Sequence, residues 1–458
     1  MRARLVVASV WLAAFGVWVH DARARLLAQP APAGVTLALT GDAIITRALS
    51  VYTEPAFSRL IALVRGADAA FTNIEMLFHD YEMYPMHESG GTYMRAEPAL
   101  AKELGWAGFD LGSLANNHTG DYGVEGMRLT QRYIAEAGIV AAGVGQSLPE
   151  AREAKFLETP RGRVALISLA STFTAHSRAG STRGDVPARP GLSPLRFSTT
   201  YVVTPDRLAQ LRLAAGEVTG RPVAAGDTLT FVGRRFVAGA VPGVRTEPDP
   251  QDVKEIAAVV KSAATLADYV IVTIHCHESG PAGITEPPMF LPVFARAMVD
   301  AGADVFVGHG PHVLRGIEVY KGRPILYSLG DFIFQNETLL RYPTDNYEEQ
   351  KLGVHAQPDD YLNRRYDNGK SGFPAERKIW ESVVAVPRFD GDRLVELALH
   401  PIDLGFGRPR QVRGRPLLAE AALAAKILND VQTLSAPFGT KVTVRDGVGY
   451  VDLSAVRP

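Results

Sequence analysis

A single cysteine, Cys276, stands among 458 residues. An intrachain disulfide and a thiolate-built zinc or iron–sulfur site are both excluded. Neither charge sign is in excess, with 48 Lys plus Arg against 49 Asp plus Glu. With no long run of one sign either, the electrostatic footprint of a nucleic-acid binder is absent, and no nucleic-acid partner is expected. Several chemistries lack their motifs: there is no G-x-S-x-G elbow and no Walker-type loop, and "GVG" at 143–145 is too short for a dinucleotide fingerprint. Long apolar runs are scarce, and only residues 5–19, "LVVASVWLAAFGVWV", come near the roughly 20 residues a membrane span needs. A basic "MRAR" precedes that run, and the small-residue sites Ala22-Arg23-Ala24 and Ala31-Pro32-Ala33 follow it. Residues 1–34 therefore read as a secretory signal, with an uncleaved anchor as the alternative. The expected location is exported: periplasmic, extracellular or tethered to the outer face of the cytoplasmic membrane.

The remainder, with 47% hydrophobic and 21% charged residues over the chain, has the composition of a globular protein with a sizeable core. Short apolar runs such as "VTLALTGD", "AAFTNIE", "RVALISLAST", "YVIVTIHCHE" and "ADVFVGHGPH" alternate with helical spacings. The helical sets are Phe57, Leu60, Ile61, Val64; Val253, Ile256, Ala257, Val260; and Phe290, Val293, Phe294, Ala297. Such alternation predicts an α/β fold. Residues 174–250, rich in scattered Pro, Arg and Gly, break the rhythm and read as an insertion with one helix near "PDRLAQLRLAAGEV". A second, polar and tyrosine-bearing insertion covers 336–380. The expected organisation is one domain over 35–335, completed by a hairpin and helix within 381–458. Turns are expected at "KGRP", at Asp390-Gly391-Asp392 and at Asp446-Gly447, because Gly supplies the positive φ a tight hairpin needs.

Costly polar residues collect at the C-terminal ends of the apolar strands: Asp42, Asn73 and Glu75, Asn117 and His118, His275 and His277, His309 and His312. In α/β sheets ligands bind at that edge. Carboxylate, amide oxygen and imidazole together suit Mn, Fe or Zn better than Mg or Ca, which prefer oxygen alone. Each residue also has a plainer reading. Asp42 can start a turn, Asn116 and Asn117 can form an Asx turn, and Asp121 can cap the helix that follows it. His275 and His277 can be satisfied core histidines on one strand face, with Cys276 packed on the other. Asn73 and Glu75, flanking Ile74, share one face and read as a pair. Nothing around His20, His79, His87 or His176 marks them out.

In order, "GD" at 41–42, "NIE" at 73–75, "ANNHTGDYG" at 115–123, the "VTIH" strand and "GADVFVGHGPHVLRGIEVYKGRPILYSLGDFIF" at 302–334 resemble the bacterial capsule synthesis proteins of the CapA, poly-γ-glutamate type. The connector "GTYMRAEPALAKELGWAGFDLGS" is similar to that family's, with Arg95 in its usual place. The likeness runs from residue 35 to about 335. It implies a fold similar to the calcineurin-like metallophosphatases: a four-layer sandwich of two mixed β-sheets flanked by helices.

The resemblance further implies that Asp42, Asn73, Glu75, Asn117, His275, His309 and His312 hold or support one or two divalent ions, Mn, Zn or Fe. It puts His118 where a histidine protonates the leaving group, oriented by Asp121, and Arg95 where an anionic substrate group would be gripped. Three positions depart from the pattern. Ile44 stands where the phosphatase pattern Asp-x-His has its histidine, "HCHES" displaces His277 and Glu278, and Asp331 replaces an amide in "YSLGNF". The implied function is a metal-dependent hydrolase acting on an anionic cell-surface polymer, such as poly-γ-glutamate, or on a phosphoester. The alternative is a non-catalytic polymer-binding component of a capsule export complex. Membrane-embedded components of capsule synthesis are the expected protein partners.

Overall fold

The computed structural model describes residues 34–454. The segment expected to direct export lies, up to residue 33, outside the described residues. Among the described residues no helix is long and apolar enough to cross a membrane.

The fold is mixed α/β with several mixed sheets and no closed barrel. The largest sheet has ten strands. At its centre β1 (Leu37–Ile44) runs parallel to β2 (Ala69–Ile74), which runs parallel to β3 (Leu111–Ser113). A six-stranded sheet contains β4 (Gly162–Ala170), β5 (Tyr269–His275) and β6 (Val305–His309), all parallel. Returning to the first sheet, β7 (Asp331–Phe334) pairs with the outer side of β1. The antiparallel hairpin β8 (Glu381–Asp390) and β9 (Arg393–Asp403) extends that sheet beyond β1. β1, β2, β5 and β6 are buried at every residue, as their near-continuous apolar runs require.

Leu37, Leu39, Phe71 and Leu111 of the first sheet share a core with Val164, Leu166, Ile271, Val305 and Val307 of the second. The opposite face of the first sheet packs on α1 (Pro55–Arg65), which buries Phe57, Leu60, Ile61 and Val64 as the spacing predicts. The second sheet's outer face packs on α2 (Pro250–Ala263) and α3 (Phe290–Asp300). In α2, Ile256 and Val260 are buried and Val253 and Ala257 only partly so. In α3 the buried face is Phe290, Leu291, Phe294, Ala295 and Met298, whereas Val293 is 58% exposed. The expected phase of that helix is therefore turned.

The three expected hairpins are present, with positive φ at Lys321 and Gly322, at Gly391, and at Asp446 and Gly447. Residues 197–248 carry more structure than the single helix their sequence suggests. Helix Pro205–Thr219 is accompanied by a four-stranded sheet of Phe197–Val203, Thr228–Phe231, Arg234–Ala238 and Gly243–Pro248. The polar segment at 336–380 also differs from expectation, since Tyr342, Tyr361 and Tyr366 are buried in the core with Trp380.

β1 and β7 approach unusually closely where Gly41 precedes Asp42. A Cβ on Gly41 would stand 1.8 Å from the Gly330 carbonyl oxygen, which also accepts a hydrogen bond from the Asp42 amide at 3.0 Å. Backbone cannot yield there as a side chain would. Gly41→Ala is expected to cost about 3 kcal/mol through overpacking, read as a lowered denaturation midpoint, and to displace Asp42.

Candidate metal centre

The parallel register places polar residues from both sheets at one carboxyl edge. Asp42 of β1 is opposite Asn73 of β2 and Asp331 of β7. His275 ends β5 directly opposite His309, which ends β6. Glu75 lies one residue beyond β2, and His312 follows β6 in the loop "GHGPH". His312 adopts φ 58° and Gly310 φ 114°, so this loop holds a bulky residue in the left-handed region, a conformation maintained at a cost.

Asp42, Asn73, Glu75, His275, His309 and His312 are all buried. Asp42 Oδ1 accepts a hydrogen bond from Asn73 Nδ2 at 2.7 Å and lies 3.4 Å from His309 Nδ1 and 3.6 Å from His275 Nδ1. Its Oδ2 accepts from the Gly310 amide at 2.9 Å. Around Glu75 Oε1 stand four imidazole Nε2 atoms: His118 and His275 at 3.7 Å, His312 at 3.9 Å and His277 at 4.0 Å. Among the described residues neither oxygen of Glu75 has a hydrogen-bond partner.

A buried carboxylate without a partner is costly unless a cation meets it. Donors from Asp42, His275 and His309 lie within 4.8 Å of one another, as do those from Glu75, His275 and His277 and those from Asp42, Glu75 and His312. His275 nitrogens are 3.1 Å from His309 Nδ1 and 2.9 Å from His277 Nε2. Ligands bound at about 2.0–2.1 Å to one tetrahedral ion are separated by roughly 3.3 Å. The residues therefore fit a divalent ion.

The outer partners match that arrangement. His309 Nε2 is 2.8 Å from Thr273 Oγ1, and His312 Nδ1 is 2.8 Å from Asp331 Oδ1, which leaves Nδ1 of the first and Nε2 of the second facing the cluster. Burial drives the protonation of the remaining groups. It raises Glu75 well above the carboxylate range, reinforced by the charge on Asp42. Asp42 is also raised by burial, but its bonds to His275 and His309 outweigh this and hold it well below its usual range. Desolvation pushes His275 down to about 4 and His277 well below an ordinary imidazole. For His312 burial is overcome by Asp331 and Glu75, which lift it to about 10, while burial raises Asp331 to about 7.

Because its folded value is raised, His312 contributes stability that is complete below about pH 6.5 and lost as pH rises through about 10. In Asp331→Asn the chief partner of that charge is gone. The His312 midpoint in metal-free protein, followed by NMR, is expected to fall by about 1–3 pH units, and the alkaline loss of stability should move down with it. An unchanged midpoint would show that Asp331 does not govern His312.

Beside the cluster lies the loop 115–121. Asn116 donates to the Ile74 carbonyl at 2.9 Å and accepts from the His118 amide at 3.0 Å, tying the loop to the end of β2. Asn117 Nδ2 donates to the Gly90 carbonyl at 2.9 Å, while its buried Oδ1 has no partner among the described residues. His118 Nδ1 is 2.8 Å from Asp121 Oδ2. Asp121 also accepts from the amides of Gly90 and Met94, each at 2.9 Å. The following helix, Gly123–Glu136, has Tyr122 at its N-cap and no side-chain cap, so capping is not what occupies Asp121.

Other sequence-marked residues fall elsewhere. Arg95 makes its bonds outside the cluster: Nε donates to the His79 carbonyl at 2.6 Å, Nη2 pairs with Asp80 at 3.0 Å, and the guanidinium lies over Tyr81. Cys276 is a buried free thiol. His277, outside the expected ligand set, does join the cluster, and its i, i+2 spacing from His275 was the available signal. Asp331, the first residue of β7, joins it through His312; its signal was an acid where the pattern "YSLGNF" has an amide. His20 lies outside the described residues, and His79 is buried and pushed down to about 4.

Residues 36–336 match the family model described as bacterial capsule synthesis protein PGA_cap. An uncharacterized protein of Sinorhizobium fredii, y4uA, is 40% identical over 434 residues, covering 92% of this chain and 93% of that one. The PGA biosynthesis protein CapA of Bacillus subtilis is 26% identical over 348 residues, 70% of this chain and 72% of its own. The capsule biosynthesis protein CapA of Bacillus anthracis is 25% identical over 307 residues, 66% and 60% respectively.

Proposed function

Since the chain belongs to the bacterial capsule synthesis protein family, we propose that it is a metal-dependent hydrolase of capsule or poly-γ-glutamate biosynthesis, acting on an anionic cell-surface polymer or phosphoester. The observation that carries this reading is the four imidazoles facing the unpartnered Glu75 carboxylate, with a proton-handling His118 among them. Two facing sheets with the cluster at their carboxyl edge support a calcineurin-like metallophosphatase arrangement. Asp42, Glu75, His275, His277, His309 and His312 would hold one or two ions, with Asn117 Oδ1 an additional oxygen donor and Asn73 orienting Asp42. An ion of the Mn, Zn or Fe type would supply Lewis acidity, polarising a phosphoryl or carbonyl oxygen and acidifying water.

The chain's own contribution is proton transfer and orientation. Asp121, pinned by two backbone amides, fixes the His118 tautomer with the proton on Nδ1. In that neutral ring Nε2 carries the lone pair and faces the cluster 3.7 Å from Glu75; it can take up a proton and, as the imidazolium held by Asp121, pass that proton to a leaving oxygen. The proposed setting is the cell envelope, with membrane-embedded capsule synthesis components as partners.

Ile44 favours a second reading. It is buried at the end of β1 and offers no donor where the phosphatase pattern has a histidine, as a polymer-binding assembly component with weak or no turnover would tolerate. Metal analysis of manganese- or zinc-loaded protein, together with a screen of phosphate and carboxyl esters, separates the two. Bound metal with ester turnover is expected. Retained metal without turnover would favour the assembly role, and absence of both metal and turnover would overturn the metal-dependent reading.

A further inference from the structure

The loop that carries His118 is overlaid by a strap of chain. Met86 donates to the Asp121 carbonyl, Gly90 and Met94 donate to the Asp121 carboxylate, and the Gly90 carbonyl accepts from Asn117, all at 2.9 Å. The approach is tight enough that a Cβ on Gly90 would lie 2.4 Å from the Asn117 carbonyl oxygen. The strap also presents His87 and Glu88, both exposed, beside His176 from the turn Ala175–Ser177. One donor atom from each of these three residues lies within 4.8 Å of the others. The two imidazole rings are 5.4 Å apart, centroid to centroid.

His176 is prepared as a ligand. Its Nε2 lies 3.1 Å from the Gly120 carbonyl oxygen, which can only accept, so in the neutral ring Nε2 carries the proton and Nδ1 the lone pair. That Nδ1 is buried and has no hydrogen-bond partner among the described residues. Bonding of the far nitrogen to a backbone carbonyl is the usual support of a metal-bound histidine. Two imidazoles and one carboxylate make an N₂O set suited to zinc-like ions and poorly suited to magnesium or calcium.

We propose that His87, Glu88 and His176 form a second divalent-cation site of the zinc type, separate from the main cluster, which clips the strap onto the loop bearing His118 and Asp121. Gly120, whose carbonyl holds His176, lies between those two residues, so an ion here stiffens the loop from outside without touching the reacting groups. The roles are positioning ones. The strap is otherwise fastened to the loop by the four hydrogen bonds named above, and the ion adds a link to a different segment of chain.

The test uses the full chain, stripped by chelator and titrated with zinc, as wild type, His87→Gln and Glu88→Gln. Both substituted residues are exposed, so the fold is retained. Calorimetry should show one zinc per chain in the wild type whose affinity falls by about tenfold or more in each variant, since losing a ligand costs at least what losing a second-sphere partner does. The main-cluster zinc is left unchanged. Hydrogen–deuterium exchange supplies the second readout: zinc should slow exchange over residues 86–94 more in the wild type than in either variant. Identical zinc stoichiometry and affinity in all three proteins, or identical slowing over 86–94, would overturn the proposal. Neither readout needs turnover, so such a result leaves the reading of the main cluster standing.

Discussion

His118→Ala is expected to keep its fold and its metal and to lose about 10²–10⁴-fold in turnover, whereas Asp121→Asn should lose both turnover and stability. The contrast follows from their bonds. The His118 side chain faces the cluster through Nε2 at 3.7 Å from Glu75 and meets the loop through its Nδ1 contact with Asp121, whereas its amide and carbonyl hold the loop through backbone bonds that truncation leaves in place. Truncating it removes the proton carrier and leaves the Asp42, His275 and His309 donors in place. Asp121 instead accepts at both oxygens, from Gly90 on one and from Met94 and His118 on the other. An amide in its place turns one acceptor into a donor. Whichever way that amide is rotated, a backbone N–H of the strap meets another N–H, which leaves buried donors unpaired at about 1–3 kcal/mol each. His118 simultaneously loses the acceptor that fixes its tautomer. Chemical denaturation with metal analysis of both variants checks this. Loss of metal in His118→Ala would place His118 among the ligands, and a fully stable Asp121→Asn would mean that the strap is held by something else.

Most of the cluster was legible because the sequence shows polar residues where apolar strands end. Asp42, Glu75, His275, His309 and His312 each close a run that burial alone would have closed with something cheaper, and the structure brings these five together. Asp331 and His277 were visible only as oddities. Their roles depend on which strands lie side by side, Asp331 against Asp42 and His275 against His309, and pairing between strands distant in sequence leaves no local trace. Arg95 shows the converse: its place in the connector was readable, but the groups that take its guanidinium, Asp80 and the His79 carbonyl, are fixed by tertiary structure.

Fold-level departures have similar causes. The helix Phe290–Asp300 is apolar on nearly every side, so two different stripes satisfy a 3.6-residue period and only packing selects between them. The sheet within 197–248 has mostly exposed or half-buried strands bearing Thr, Arg and Gly. Strands of that kind lack the apolar alternation by which a strand is recognised.

Glu75→Gln is expected to make the metal-free protein more stable and the metal-loaded protein less so. In the metal-free state both Glu75 oxygens are buried without partners, and burial with the charge of Asp42 raises its pKa. The folded protein therefore keeps that proton at pH values where the unfolded chain, with an ordinary value of about 4.3, has released it. More protons bound to the native state means that stability falls as pH rises from about 4.3 toward the raised folded value. Glutamine has no proton to lose, so this acid-side fall should vanish and the metal-free form should gain about 1–3 kcal/mol near neutral pH. With metal present the sign reverses, because the carboxylate that the cluster's imidazoles surround supplies negative charge that an amide lacks. Stabilisation by a bound ion grows as RT ln(1 + [L]/Kd), so a hundredfold weaker ion costs about 2.7 kcal/mol of it. Denaturation midpoints measured from pH 4 to 8, with and without manganese or zinc, read both effects in one series. If the substitution destabilises the metal-free protein across that range, Glu75 is held by partners other than a cation and is not a ligand.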